Sequence, residues 1–338
     1  MPLTLIRPHK LSQVHQRVAE DPSHRAVRAG GLDLLDQMKE GLLSSDELVE
    51  LVELRYVDDE YGAALRGVSA EDDGRWSLGA LVTLSQLANF AGLPAGYAVL
   101  REAAGSAATP GIRNTATIGG NLLQRPRCWY FRRADLMCLK KGGKACLAIT
   151  GENKFHAILG GGPSWIVHPS TLAVALTALA ASVRVLSATG VREMAIGDLF
   201  MLPKEDPTRE HTLAAGEVIV QVLVPATTPE HHSAYEVAKE KHSHDWPLAE
   251  AAVSVQLKAG KITAASVALG HVAPVPWKAP GAEQILVGQA PSTELFARAA
   301  QAATAGANPL KHNAYKVPLA QGLVRKALHR ACNVALPE

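Results

Sequence analysis

No run of about 18 apolar residues occurs in this 338-residue chain, so no transmembrane helix is expected. Met1 to Lys10 lacks a charged start followed by a long apolar segment, so a signal peptide is not expected either. Cysteine is scarce: four residues are too few for a disulfide scaffold. The net charge is only +2, which predicts no nucleic-acid footprint. The G-x-G-x-x-G fingerprint, the Walker A loop, G-x-S-x-G and H-E-x-x-H are all absent. With them goes the usual evidence for Rossmann NAD binding, P-loop chemistry, serine hydrolysis and zinc proteolysis. His242-Ser243-His244-Asp245 has the residue types of a triad, but sequence neighbours rarely face one another as triad members do. His231-His232 beside Glu230 reads as an exposed loop. There is no internal repeat and no low-complexity tract.

What is present is an ordinary soluble composition, 47% apolar and 20% charged, in a chain long enough for two domains. Leu3–Ile6 and Arg25–Arg28 read as strands, and Lys10–Ala19 has helical spacing. Ala29-Gly30-Gly31-Leu32-Asp33 follows the second strand, with a short helical turn predicted over Leu34–Lys39. Strand, Gly-Gly, helix is an arrangement that presents backbone N–H groups to a phosphate. Leu48–Leu54 reads as a strand or helical turn, Arg75–Leu78 as a strand, and Gly79–Phe90 and Ala95–Ala104 as helices. Trp165–Val167 reads as a buried strand. Ser170 is a candidate cap for a helix over Leu172–Ala181. Val183–Leu186 and Val191–Met194 form a hairpin pattern, and Glu217–Val224 is a strand. Thr227–His232 marks a domain boundary. Beyond it Tyr235–Lys239, Ala249–Leu257 and Lys261–Leu269 predict an antiparallel meander. Ala282–Val287, Thr293–Ala305 and Leu319–Ala335 predict helices.

The stretch Thr109 to Cys146 carries the densest chemistry. A turn at Thr109-Pro110-Gly111 leads through Arg113-Asn114 into Thr117-Ile118-Gly119-Gly120-Asn121. Three of the four cysteines follow, at 128, 138 and 146. The basic residues among them (Arg132, Arg133, Lys140, Lys141, Lys144) predict lowered thiol pKa values and thiolate character. Thiolates hold iron–sulfur clusters or zinc. The paired C-x-x-C of zinc ribbons is missing. Three thiolates leave a fourth ligand to be found, with His156, Ser164, His168 and Cys332 as candidates. On the residues alone an iron–sulfur cluster, zinc and unligated thiols all remain open. Cys332, in an Ala-rich helical tail, reads most simply as a buried apolar residue.

Ala29-Gly30-Gly31-Leu32-Asp33-Leu34-Leu35, with Met38-Lys39, resembles the first FAD loop in the flavoprotein subunits of molybdenum hydroxylases, the xanthine dehydrogenase and carbon monoxide dehydrogenase group. Arg113 to Leu122 resembles their second FAD loop, and Asn313-Ala314-Tyr315-Lys316 resembles the end of their C-terminal domain. Arg127-Cys128, Cys138, Gly143 to Cys146, His156 to Gly160 and His168-Pro169-Ser170 are similar to the branch containing the periplasmic aldehyde oxidoreductase of enteric bacteria. A related insertion occurs in 4-hydroxybenzoyl-CoA reductase.

The resemblance implies an α+β chain. A two-subdomain FAD-binding fold of the vanillyl-alcohol oxidase type (1–226, with a Cys-bearing insertion at about 124–165) would precede a C-terminal flavoprotein domain (230–338) of β-meander and helices. It implies FAD held at its pyrophosphate by Gly30 and Gly31 and the backbone from Ala29 through Leu32, Asp33 and Leu34 to Leu35. Thr117, Ile118, Gly119, Gly120 and Asn121 would line the ribityl and flavin part, with Thr109 and Arg113 nearby. Lys239, Lys241 or Trp246 would approach the ring. It also implies a [4Fe-4S] cluster on Cys128, Cys138 and Cys146, where Ser164 stands at the position of the branch's fourth cysteine. Leu32 stands where the family often has Thr, and Thr171 where it often has Asp.

The implied partners are a large molybdenum-cofactor subunit and a small subunit with two [2Fe-2S] clusters, in a heterotrimer or its dimer. Electrons would pass from the small subunit to FAD on this chain and on to an external acceptor, and no residue of this chain would be a catalytic acid or base. The alternative is an assembly or binding subunit with a zinc-bound or metal-free Cys loop and a vestigial flavin site. A free-standing NADH-using flavin reductase has no fingerprint here. The expected compartment is the cytoplasm, or the periplasm by co-export with a signal-bearing partner.

Overall fold

A computed structural model describes residues 3–43, 50–241 and 244–336. Its described strands fall into three sheets. β1 (Thr4–Ile6), β2 (Arg25–Arg28) and β3 (Glu50–Glu53) form a small parallel sheet in the order β1-β3-β2. Part of the expected Leu48–Leu54 element lies outside the described residues, as do His242 and Ser243 of the triad-like run. β4 (Val68–Ala70), β5 (Trp76–Gly79), β6 (Ser182–Ser187), β7 (Gly190–Ala195) and β8 (Val218–Val224) form an antiparallel sheet ordered β4-β5-β8-β6-β7. β8, with the sequence VIVQVLV, occupies the centre because it is apolar on both faces.

The third sheet holds β9 (His231–Ala238), β10 (Ala249–Lys258), β11 (Lys261–Gly270) and β12 (Trp277–Lys278), antiparallel in the order β12-β11-β10-β9. The β10–β11 turn has positive φ at both Ala259 (49°) and Gly260 (74°), the geometry of a two-residue hairpin loop whose twist matches the strands. β9 begins inside the expected boundary segment Thr227–His232.

Helix Thr171–Ala178 is the hinge of the core. All eight of its residues are buried, and it packs against both β10 and β11. A helix that is apolar all round has to sit between layers. Ser170 caps it as expected, accepting from the Ala173 N–H at 3.0 Å. Two other expectations change. Gly79 ends β5, and the helix starts only at Leu84, where Thr83 and Gln86 form a reciprocal capping box. Trp165–Val167 is not a strand: instead of joining a ladder, the Trp165 carbonyl accepts from the Ala157 N–H, and His168 donates its N–H to the Ala273 carbonyl. No helix among the described residues is long and apolar enough to cross a membrane.

The C-terminal helix starts at Lys316, earlier than expected, with Pro318 in its first turn where no helical N–H is needed. The residues just before it clamp the segment 153–157. Asn313 Nδ2 donates to the carbonyls of His156 and Ala157, both at 3.0 Å. Lys316 Nζ donates to the carbonyls of Phe155 (2.8 Å) and His271 (2.7 Å). His312 donates its N–H to Asn153 Oδ1. Lys316 is fully buried, and desolvation lowers its pKa to about 7.

Asn313→Ala strips two buried carbonyls and the Leu310 N–H of their partner. It should lower unfolding stability by about 2–4 kcal/mol in denaturant titration. The unfolded chain carries the Lys316 proton to higher pH than the folded chain does. Stability should therefore rise between about pH 7 and the ordinary lysine range. Thermal melts across that range should show the slope, and Lys316→Met should flatten it.

Candidate functional site

A cleft of about 1260 Å³ runs between the small parallel sheet, the five-stranded sheet and the connection from β9 to β10. Two loops wall it. In the first, β2 leads through Ala29-Gly30 to Gly31, which caps helix Leu32–Lys39 with φ 79°, a left-handed value that favours glycine. The first helical bond runs from the Leu35 N–H to the Gly31 carbonyl. The N–H groups of Leu32, Asp33 and Leu34 precede it and have no acceptor within the helix. All three residues line the cleft. In the second loop Thr117 caps the short helix Ile118–Leu122, its Oγ1 accepting from the Gly120 N–H at 3.2 Å. A Cβ on Gly30 would stand 2.2 Å from the Thr115 carbonyl oxygen. The loops therefore touch, and only glycine allows that approach.

Of the residues named from sequence, Ala29, Gly30, Gly31, Leu32, Asp33, Leu34, Thr117, Gly119, Gly120, Asn121 and Lys239 line the cleft. Four do not. Ile118 is fully buried in the core beneath it. Leu35 falls between the lining residues Leu34 and Asp36 without lining the cleft itself. Thr109 caps its own short helix through the Ile112 N–H. Arg113 Nη1 donates to the Ala107 carbonyl at 2.7 Å. These last two brace the loop that brings Ala107, Ala108 and Ile112 to the cleft. Lys239 Nζ donates to the Ser106 carbonyl at 2.5 Å, and burial lowers its pKa. Asn121 Oδ1 accepts from Ser170 Oγ at 2.6 Å, which ties the second loop to the central helix. Trp246 and Thr171 also line the cleft, and Lys241 does not.

A third wall was not anticipated from sequence. Arg125, Arg127, Trp129 and Arg132 line the cleft from the cysteine stretch. The three arginines converge on Asp33. Its carboxylate accepts the Arg125 N–H (2.8 Å), pairs with Arg127 (2.8 Å) and Arg132 (2.6 Å), and accepts from Gln37 (2.9 Å). Arg127 lies over the Trp246 ring at 4.7 Å, and its Nε is buried without a partner. Arg125 and Lys140 meet at buried Glu210, whose carboxyl they hold below its usual range against the opposing effect of burial. This brings the 208–214 loop over the cleft. The visible signal was the basic run itself, which on sequence alone is assigned to the thiols.

That assignment is corrected by the structure. The arginines turn toward carboxylates, and burial pushes the Cys128 thiol up to about 11. Cys128, Cys138, Cys146 and Ser164 do line one cavity, which shares no lining residue with the cleft. No disulfide joins the three cysteines. The cavity is about 10 Å³, room for one water-sized body. Among the described residues no three His, Cys, Asp or Glu side chains converge closely enough to hold a metal ion. The donors fit a thiophilic metal in kind, but as they stand they do not close around one. Of the other fourth-ligand candidates, His156 Nε2 lies 3.2 Å from Cys128 Sγ. His168 is buried edge-on to Phe200, and Cys332 is buried in the core of the C-terminal helices.

The FAD binding domain in molybdopterin dehydrogenase matches residues 1–227, and the CO dehydrogenase flavoprotein C-terminal domain matches residues 233–331. The aldehyde oxidoreductase FAD-binding subunit PaoB of Escherichia coli K12 is 33% identical over 90% of this chain and 90% of its own length. The carbon monoxide dehydrogenase medium chain of Hydrogenophaga pseudoflava is 26% identical over 91% of this chain and 90% of its own. In fold, a chain of the reconstituted CO dehydrogenase from Oligotropha carboxidovorans superposes with a TM-score of 0.75 at 24% identity, covering 99% of this chain and 100% of that one.

Gly30→Ala forces the two loops apart and should cut bound flavin per protein at least about tenfold, read from the visible absorbance ratio, through the strain of overpacking. Gly111→Ala, whose Cβ meets nothing within 4 Å, should leave that ratio unchanged.

Proposed function

This chain belongs to the FAD-binding family of molybdopterin dehydrogenases, and we propose that it is the FAD-carrying electron-transfer subunit of a molybdenum-cofactor hydroxylase acting on an aldehyde or aromatic substrate. The observation that carries the reading is the single cleft walled by both glycine loops. At about 1260 Å³ it exceeds the roughly 300–1,000 Å³ of pockets for drug-sized ligands, as an extended dinucleotide requires. FAD supplies electron exchange between a donor and an acceptor that differ in electron number.

The residues present fit the group. The open N–H groups of Leu32, Asp33 and Leu34 suit the pyrophosphate. Gly119 and Gly120 admit close backbone approach to the ribityl and flavin part, with Asn121 held by Ser170 and Lys239 by Ser106. We read residues 1–226 as the FAD domain, its two sheets as the subdomains of a vanillyl-alcohol oxidase-type fold, and 230–338 as the C-terminal flavoprotein domain. The partners in this reading are a large molybdenum-cofactor subunit and a small subunit with two [2Fe-2S] clusters. The small subunit delivers electrons to this chain, which passes them to an external acceptor.

In the first of two readings the cysteine pocket holds an iron–sulfur centre on Cys128, Cys138 and Cys146 with Ser164. The shared lining supports that assignment. The small cavity volume favours the second reading, a metal-free or zinc-bound structural loop, and no electron step is routed through the pocket.

The purified complex should show the two visible flavin bands, and a colourless preparation would sink the redox reading. Cys138→Ser should lower iron and acid-labile sulfide to the complement of the small subunit's two clusters while flavin content stays within about twofold, because the pocket and the cleft share no lining residue. Ser164→Cys, which supplies the softer donor, should raise iron retention. Iron content unchanged by both substitutions would refute the iron assignment.

A further inference from the structure

The helix that opens the first loop carries an electrostatic contradiction. Its N-terminal N–H groups invite an anion, yet the helix bears Asp33 and Asp36, with Glu40 at its C-terminal cap. A carboxylate at Asp33 sits beside the place where a diphosphate has to lie. Each of these acids is met by an arginine of the cysteine-bearing segment. Asp33 pairs with Arg127 and Arg132, Asp36 faces Arg127 at 3.6 Å, and Glu40 pairs with Arg132 at 3.0 Å. Arg132 has little donor capacity left, since Nη1 and Nη2 hold the two acids and Nε donates to the Pro126 carbonyl at 2.7 Å. Arg127 differs. It lines the cleft, Trp246 covers one face, and its Nε is buried with no partner.

Resting on the FAD reading above, we propose that Arg127 is a positioning residue for the cofactor's diphosphate, supplied by the cysteine-bearing insertion. It offsets Asp33 at the helix N-terminus and keeps one N–H for a phosphate oxygen. The insertion is thereby part of the FAD site as well as the wall of the thiol pocket. Arg127 and Trp129 face the cleft, while Cys128 between them faces the thiols.

The test uses the purified complex stripped of flavin and titrated with FAD, ADP and riboflavin. Arg127→Ala should weaken FAD and ADP about tenfold, in line with loss of a charge-assisted bond, and leave riboflavin unchanged. Arg127→Lys, which keeps the charge and loses the fork, should fall between. Asp33→Asn in the Arg127→Ala background should recover most of the ADP affinity, since the charge to be offset is then gone. Equal loss of riboflavin and ADP affinity would overturn the assignment, because Arg127 would then serve the ring end or the fold. Unchanged ADP affinity in a variant with a wild-type melting temperature would overturn it as well. Wild-type complex that binds riboflavin and FAD but not ADP would also refute it. Wild-type complex that takes up none of the three would refute the FAD reading itself and this inference with it.

Discussion

The carboxylate of Asp33 is the point on which the cleft depends. It sits in the first turn of the helix that follows the Gly30-Gly31 loop, with a side chain 14% exposed, and it gathers four donors from two stretches of the sequence. An unpaired carboxylate there would be costly to bury and would repel an anion. Bonded to Gln37, to the Arg125 backbone and to the Arg127 and Arg132 guanidinium groups, it becomes a fastener. It ties the first loop to the cysteine stretch nearly a hundred residues later. Arg125 carries the connection onward to Glu210 and Lys140, so a second buried charge cluster holds the 208–214 loop across the cleft. Breaking one partner of such a network leaves the others buried and uncompensated, which is why the cluster acts as a unit.

A second set of contacts fixes the other flank. Asn313 and Lys316 hold the carbonyls of residues 155–157 and 271 from the C-terminal region. These bonds are to backbone, so they specify where the chain runs and leave the side chains at His156 and Cys128 free to face one another. The cysteine stretch is therefore held at both ends by parts of the molecule that are remote in sequence. The central helix Thr171–Ala178 completes the frame, since Ser170 caps it and also bonds to Asn121 of the second loop.

The elements with strong periodicity or clear punctuation were legible from sequence. β8 is apolar throughout, the β10–β11 hairpin has its Gly turn, and Ser170 announces a helix start. The glycine loops were legible because the left-handed cap at Gly31 favours glycine and only glycine permits the approach of Gly30 to Thr115. Trp165–Val167 misled because a short apolar run is compatible with a strand yet says nothing about a neighbour to pair with. Thr109, Arg113 and Ile118 were assigned to the cofactor from their place in a motif, whereas their side chains brace or underlie the loop that meets it.

The basic run among the cysteines shows the limit most clearly. Sequence determined that arginines and lysines would lie beside three thiols, and that glycine loops suited to a dinucleotide would precede them. It did not determine which way each side chain turns. Tertiary structure decided that Arg127 and Arg132 face carboxylates of a distant helix and that Lys140 faces Glu210. It left Cys128 in a small pocket where desolvation raises the pKa of its thiol. The physical reason is that a charge finds its partner by distance in space, screened or strengthened by what surrounds it. Local sequence fixes the charge and the backbone's freedom, and only the packed fold supplies the distance.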